Sequence, residues 1–184
     1  MTDLFGDKPR AGAVFSGSNR LTLWREWGSG PKACVIGCNP STADATKDDP
    51  TSRWWNRWFL QNGFGRYDAV NLYPFCTSSP AECRKIVGAI DRGAWDVRDA
   101  LHFVNLPHVV SMAKAAAQVF VCWGAIAWDD VWIEHVIEEI QSGEPPYPDL
   151  WCWGTTASGA PKHPLARGAH RIPVDQPAIM WRKA

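Results

Sequence analysis

The run Ala33-Cys34-Val35-Ile36-Gly37-Cys38, followed at once by Asn39-Pro40-Ser41-Thr42-Ala43-Asp44 and then by Asp48-Asp49-Pro50-Thr51, decides how this chain is read. Its first part is apolar and of strand length. It stops at a proline-anchored loop crowded with amide, hydroxyl and carboxyl groups. Buried strands of an open α/β sheet end in this way where a ligand sits beyond their carboxyl ends.

Three further runs repeat the pattern. Residues 67–73 lead into Asn71-Leu72-Tyr73-Pro74, Val119-Phe120-Val121-Cys122-Trp123 stops at Gly124, and Leu150-Trp151-Cys152-Trp153 delivers Gly154-Thr155-Thr156 and, further on, Lys162-His163-Pro164. Helical periodicity fills the intervals. Thr51 or Ser52 caps a helix running to 62, with Trp54, Trp55, Trp58 and Phe59 on one face. Ser79 caps and Pro80 opens a second helix to 90. Helical pieces over 96–104 and 108–117 are separated by Pro107, and an amphipathic helix spans 128–141. Ahead of the first strand, Ala13-Val14-Phe15 and Arg20-Leu21-Thr22-Leu23-Trp24 read as a hairpin around Ser16–Asn19, and residues 1–12 as a loose arm. Strands alternating with helices imply βαβ units. The expected fold is a single α/β domain over 1–184, three-layered α/β/α, with a central four-stranded, mainly parallel sheet and a short N-terminal hairpin.

Composition narrows the function classes. With 46% hydrophobic and 21% charged residues the chain is ordinary for a globular protein. No apolar stretch approaches the ~20 residues of a membrane helix, and the beginning Met-Thr-Asp-Leu-Phe lacks a signal-peptide pattern. A cytoplasmic monomer is the expectation. Lys and Arg (19) balance Asp and Glu (19), so no global field favours nucleic acid. From 162 onward, however, Lys162, Arg167, Arg171, Arg182 and Lys183 face a single Asp175. That stretch either borders a phosphate-binding surface or is simply solvated. The six cysteines form no Cys-x-x-Cys pair, and four lie in apolar runs, so buried free thiols are expected, with no metal and no cofactor. The twelve tryptophans are mostly packing residues, with those near polar loops placed to stack on bases.

In a parallel sheet the carboxyl ends of the strands share one edge, so the polar endings converge. Asn39, Ser41, Thr51, Asn71 and Thr156 supply donors and acceptors suited to a base edge, Arg20 a cation, and Trp123 a stacking surface. Gly124 lets a ligand approach the backbone. Asp44 and Asp49 are the carboxylates placed to activate water. Each also has a plain structural reading: Asn39 before Pro40 forms turns, and the aspartates cap loops or the helix.

Val35-Ile36-Gly37-Cys38-Asn39-Pro40-Ser41, Pro50-Thr51-Ser52-Arg53-Trp54-Trp55 and Lys162-His163-Pro164-Leu165 resemble the motifs of the mismatch-specific branch of the uracil-DNA glycosylase superfamily. More closely, Asn39-Pro40-Ser41-Thr42-Ala43-Asp44, Asp48-Asp49-Pro50-Thr51, Asn71-Leu72, Trp123-Gly124 and His163-Pro164-Leu165 resemble a widespread, uncharacterised bacterial family over residues 20 to 165. The glycosylase resemblance implies a uracil-DNA glycosylase-like fold, N-glycosidic bond hydrolysis, and a nucleobase, nucleotide or DNA as partner. It gives Asn39 the attacking water and His163 the base oxygen. Ser41 and Leu165-Ala166-Arg167 depart from that pattern, where glycine and Ser-Pro are usual. The alternatives are a non-catalytic nucleotide or modified nucleic-acid binding module, or a transferase using the same cleft.

Overall fold

A computed structural model describes residues 9–184. Strand β1 (Arg10–Ser16) turns through Gly17, at φ 59°, into β2 (Asn19–Glu26). Then follow β3 (Lys32–Gly37), α1 (Pro50–Gln61), β4 (Arg66–Asn71) and α2 (Pro80–Val87). A 3-10 turn (Ile90–Arg92) precedes α3 (Trp95–Asp99), which runs through a π turn (Ala100–Asn105) into α4 (Leu106–Lys114). The chain ends with β5 (Gln118–Val121), α5 (Asp130–Ile140), β6 (Leu150–Cys152) and β7 (Ile179–Arg182).

Among the described residues the sheet has seven strands, in the order β1-β2-β4-β3-β5-β6-β7. Neighbours among β4, β3, β5 and β6 run parallel, and the three outer pairings are antiparallel. The expectation of a four-stranded sheet with a separate hairpin is corrected here. The hairpin continues the sheet, because β2 pairs with β4 from Leu23↔Ala69 to Glu26↔Arg66. At the other edge β7 pairs with β6, using residues that read in the sequence as a basic tail. Four residues are too short for a period-2 pattern to stand out. The expected arm over 1–12 is also shortened, since β1 begins at Arg10; the rest of that expectation, residues 1–8, lies outside the described residues. The two helical pieces around Pro107 form one continuous rod. Pro107 has no N–H for the helical ladder, and the backbone passes it by widening into the π turn instead of stopping.

Alternation along the strands sorts the core into two halves. Ala33, Val35, Tyr67, Ala69, Phe120 and Cys122 meet Trp55, Trp58 and Phe59 of α1 on one face. Cys34, Ile36, Val70, Val119 and Val121 meet α4 and α5 on the other. The tryptophans of α1 also strap down the chain after 170, through Trp58 Nε1 to the Gln176 carbonyl (2.9 Å) and Trp54 Nε1 to that of Ile172 (3.4 Å). Five of the six cysteines are buried, and all six are free. Among the described residues no helix is long and apolar enough to cross a membrane.

Phe120 is fully buried, stacked on Trp153 at 5.2 Å and edge-on to Trp58 and Phe59 at the same centroid distance. Phe120→Ala leaves a cavity among rigid rings that cannot collapse into it. A loss of about 3–5 kcal/mol is expected, read as a lower urea midpoint with an unchanged m-value.

Candidate functional site

A cleft of about 340 Å³, lined by both apolar and polar side chains, opens at the carboxyl ends of β3 and β4. Its floor comes from Gly37, Cys38 and Asn39 after β3 and Asn71 at the end of β4. One wall is the start of α1 (Asp49, Pro50, Thr51) with Trp55, the other the Thr77-Ser78 approach to α2. Ile126, His163 and Leu165 form the rim beyond β5. Arg20 reaches the same edge because β2 is antiparallel to β4, so the beginning of β2 lies beside the end of β4; its backbone N–H donates to the Pro74 carbonyl at 3.0 Å.

Two arginines of β2 shape the loop that carries the acids. Arg25, 2% exposed, donates to Asp48 Oδ1 from Nε (3.0 Å) and Nη2 (2.7 Å), and to the Asp44 carbonyl at 2.8 Å. Asp48 Oδ2 accepts from Asn56 Nδ2 at 2.8 Å. The Asp48 charge is thus committed to Arg25. Arg20, 3% exposed, donates from Nη1 to the Ala43 carbonyl at 2.6 Å, while its Nε is buried without a partner among the described residues. Burial pulls the Arg20 pKa below its ordinary value, and the Asp49 carboxylate acts the other way. The loop so held places Asp49 at the N-cap of α1. Its Oδ1 accepts from the Ser52 N–H at 2.8 Å, which satisfies one of the open donors of the first turn.

Asn39 joins two loops. Its Nδ2 donates to the carbonyls of Pro40 (3.1 Å) and Thr77 (3.0 Å) and to Thr77 Oγ1 (3.1 Å). Two carbonyls on that side settle which end of the amide is nitrogen. Oδ1 is therefore the atom left for a ligand or a water. Asn71 is 3% exposed, and its Nδ2 is buried on the cleft floor with no partner among the described residues. It fits there because Gly37 has no side chain: a Cβ would lie 2.9 Å from Asn71 Oδ1. An unpaired buried donor is costly unless something fills it, and Asn71 is one of the residues that line the cleft.

His163 Nδ1 accepts the Leu165 N–H at 3.1 Å, so the neutral ring carries its proton on Nε2. Burial pushes its pKa down to about 4, against the opposing charge of Asp49. Near neutral pH the ring is an uncharged Nε2–H donor. Burial also pushes the Cys38 thiol up to about 12, which removes it as a nucleophile. Among the described residues no three His, Cys, Asp or Glu side chains gather as metal ligands would.

Of the residues singled out from sequence, Arg20, Asn39, Ser41, Asp49, Thr51, Asn71 and His163 come together around the cleft. Four do not line it. Asp44 Oδ1 caps its own loop, accepting from Thr46 N (2.7 Å), Thr46 Oγ1 (2.9 Å) and Lys47 N (2.8 Å), and these bonds hold its carboxyl below the usual range. Trp123 is buried, edge-on to Trp181 at 5.3 Å. The Gly124 N–H donates to the Pro161 carbonyl (2.9 Å), and Thr156 Oγ1 bonds Ser158 Oγ (2.9 Å). Sequence reasoning missed Thr77, whose polar run Thr77-Ser78-Ser79-Pro80 after a strand end was a visible sign, and the Arg25–Asp48 pair, which only tertiary packing reveals.

The sequence matches the family described as a protein of unknown function, DUF1643, over residues 20–165, a span that encloses every one of these cleft residues. No curated protein and no solved structure matches the chain; none of these comparisons ties it to the uracil-DNA glycosylases.

The His163 environment makes a pH prediction. The unfolded ring titrates near 6.5 and the folded one near 4, so between these values the unfolded chain binds more protons. The stability associated with the neutral ring is fully present above pH 6.5 and is lost as pH falls toward 4. His163→Gln removes this term. Thermal melts from pH 7 to 4 are expected to show a shallower acid decline of Tm in the variant; parallel curves would contradict the assignment.

Proposed function

This chain belongs to the DUF1643 family, and we propose that it is a glycosylase-like hydrolase that binds a nucleobase in the cleft and cleaves its N-glycosidic bond. What carries the reading is the neutral His163 Nε2–H and the Asn71 amide, whose buried Nδ2 has no partner among the described residues, lining one cleft with the Asp49 carboxyl. Donors and acceptors beside the apolar surface of Trp55 and Leu23 match a planar ring with amide edges. A cleft of about 340 Å³ is within the size range of small-molecule sites.

In this mechanism the C1′–N bond breaks and its electron pair leaves with the base. His163 Nε2–H hydrogen-bonds the base oxygen on which negative charge grows, and Arg20 favours the same charge from the floor. Water held by Asn39 Oδ1 adds to C1′. Its proton passes to Asp49 and finally to the departed base. Because Asp48 is neutralised by Arg25, Asp49 is the acid of this loop that faces the cleft.

The test is base release from a panel of free nucleosides and of deaminated or modified oligonucleotides. Wild type is expected to release base from at least one of them. His163→Gln is expected to lower kcat by about 10²–10³ and Asp49→Asn by about 10²–10⁴, with unchanged far-UV circular dichroism. Silence of the wild type across the whole panel rejects the hydrolase. Saturable nucleoside binding without release leaves the non-catalytic binding module, which Asn39 supports by committing its amide nitrogen to the scaffold.

A further inference from the structure

The cleft does not end at His163. A second pocket of about 260 Å³ adjoins it, and the two share Ile126, His163 and Leu165. Gly124 and Thr156, which the first cleft leaves unused, stand in the wall of this second pocket with Lys162, Arg167 and His170. That wall contains no carboxylate, and neither Lys162 nor Arg167 takes part in an ion pair among the described residues. In a chain whose charges cancel overall, this is a local excess of cations beside the cleft.

Backbone geometry keeps the two pockets close. Gly124 has φ 74°, and a Cβ there would lie 3.3 Å from His163 Cβ, so the bare backbone at 124 closes onto His163, which lines both pockets. Gly154, at φ 120°, leaves its backbone bare where the Lys162 stem crosses, with Cδ 3.6 Å from the place of a Cβ. On the shared ridge Ile126 (52% exposed) and Leu165 (41%) offer apolar surface suited to the carbon face of a sugar. The helix ends at the cleft are poor anion sites by comparison. Asp49 already caps α1, and Glu82 occupies the first turn of α2.

We propose that the pocket of Lys162, Arg167 and His170 binds the phosphate of a nucleotide whose base lies in the cleft. The base half rests on the function proposed above, while the phosphate half stands on this pocket's own residues. Sugar on the Ile126–Leu165 ridge then links the two halves, and the ligand class becomes a phosphorylated nucleoside, either free or within a single strand.

Inorganic phosphate tests the pocket without reference to any base. At constant ionic strength wild type is expected to show a saturable rise in Tm with phosphate. Lys162→Gln/Arg167→Gln is expected to lose it, and Asn71→Ala, altered in the cleft alone, to keep it. A saturable rise in both wild type and the double variant, or in neither, overturns the proposal. Nucleosides and their 5′-monophosphates are then compared by calorimetry. The phosphate is expected to tighten binding about tenfold or more, as charge-assisted contacts do, and this gain disappears in the double variant with nucleoside affinity unchanged. If phosphate saturates the pocket but no nucleoside binds anywhere, the base reading falls and the phosphate pocket remains. A single-stranded 12-mer separates the two sources. Tighter binding than any mononucleotide, with a log K–log salt slope that falls by about 1–1.5 in the double variant, assigns a polynucleotide; mononucleotide binding at least as tight assigns the free nucleotide.

Discussion

Two guanidinium groups buried under one loop hold the cleft edge of this protein together. Taking a cation out of water is expensive unless charge or hydrogen bonds replace its hydration. Arg25 meets that condition in full, with the Asp48 carboxylate and the Asp44 carbonyl around it. Arg20 does not, since it has the Ala43 carbonyl but an unpartnered Nε. The first arginine therefore acts as a clamp. The second holds the loop with one nitrogen and leaves its Nε without a partner among the described residues.

The same division recurs around the cavity. Asn39 spends its nitrogen on the Thr77 loop and keeps its oxygen, Asp49 spends one oxygen on the α1 cap, and His163 spends Nδ1 on Leu165 and keeps the Nε2 proton. Each polar side chain has one end fixed by the scaffold, so its other end is oriented before any ligand arrives. Preorganisation of this kind is what allows fixed dipoles to stabilise charge that develops during a reaction. Burial supports it by keeping His163 uncharged and the Cys38 thiol protonated.

The architecture explains why these groups meet at one edge. β3 and β4 run parallel and finish together, and β2, antiparallel to β4, starts where they finish. Three elements with different places in the chain thus bring Arg20, Asn39 and Asn71 to a common floor. The alternation of core residues to the two faces leaves the strand ends as the place where polar side chains gather.

Local pattern in the sequence determined the four parallel strands, the helices between them, the polar character of the strand ends and seven of the residues now seen around the cleft. Each of these depends on periodicity or turn chemistry within a short window. Asp44 and Asp49 mark where that ends. They are the same residue type in the same loop and both make local caps, Asp44 to Thr46 and Lys47 and Asp49 to Ser52, and only tertiary structure decided that Asp49 lines the cleft and Asp44 does not. It also decided that β1, β2 and β7 extend the sheet to seven strands, that Trp123 packs against Trp181, and that Arg25 belongs to Asp48. For the added strands, Trp123 and Arg25 the reason is that partners distant along the chain compete for one group, and which partner wins is set by burial and geometry that no local window contains.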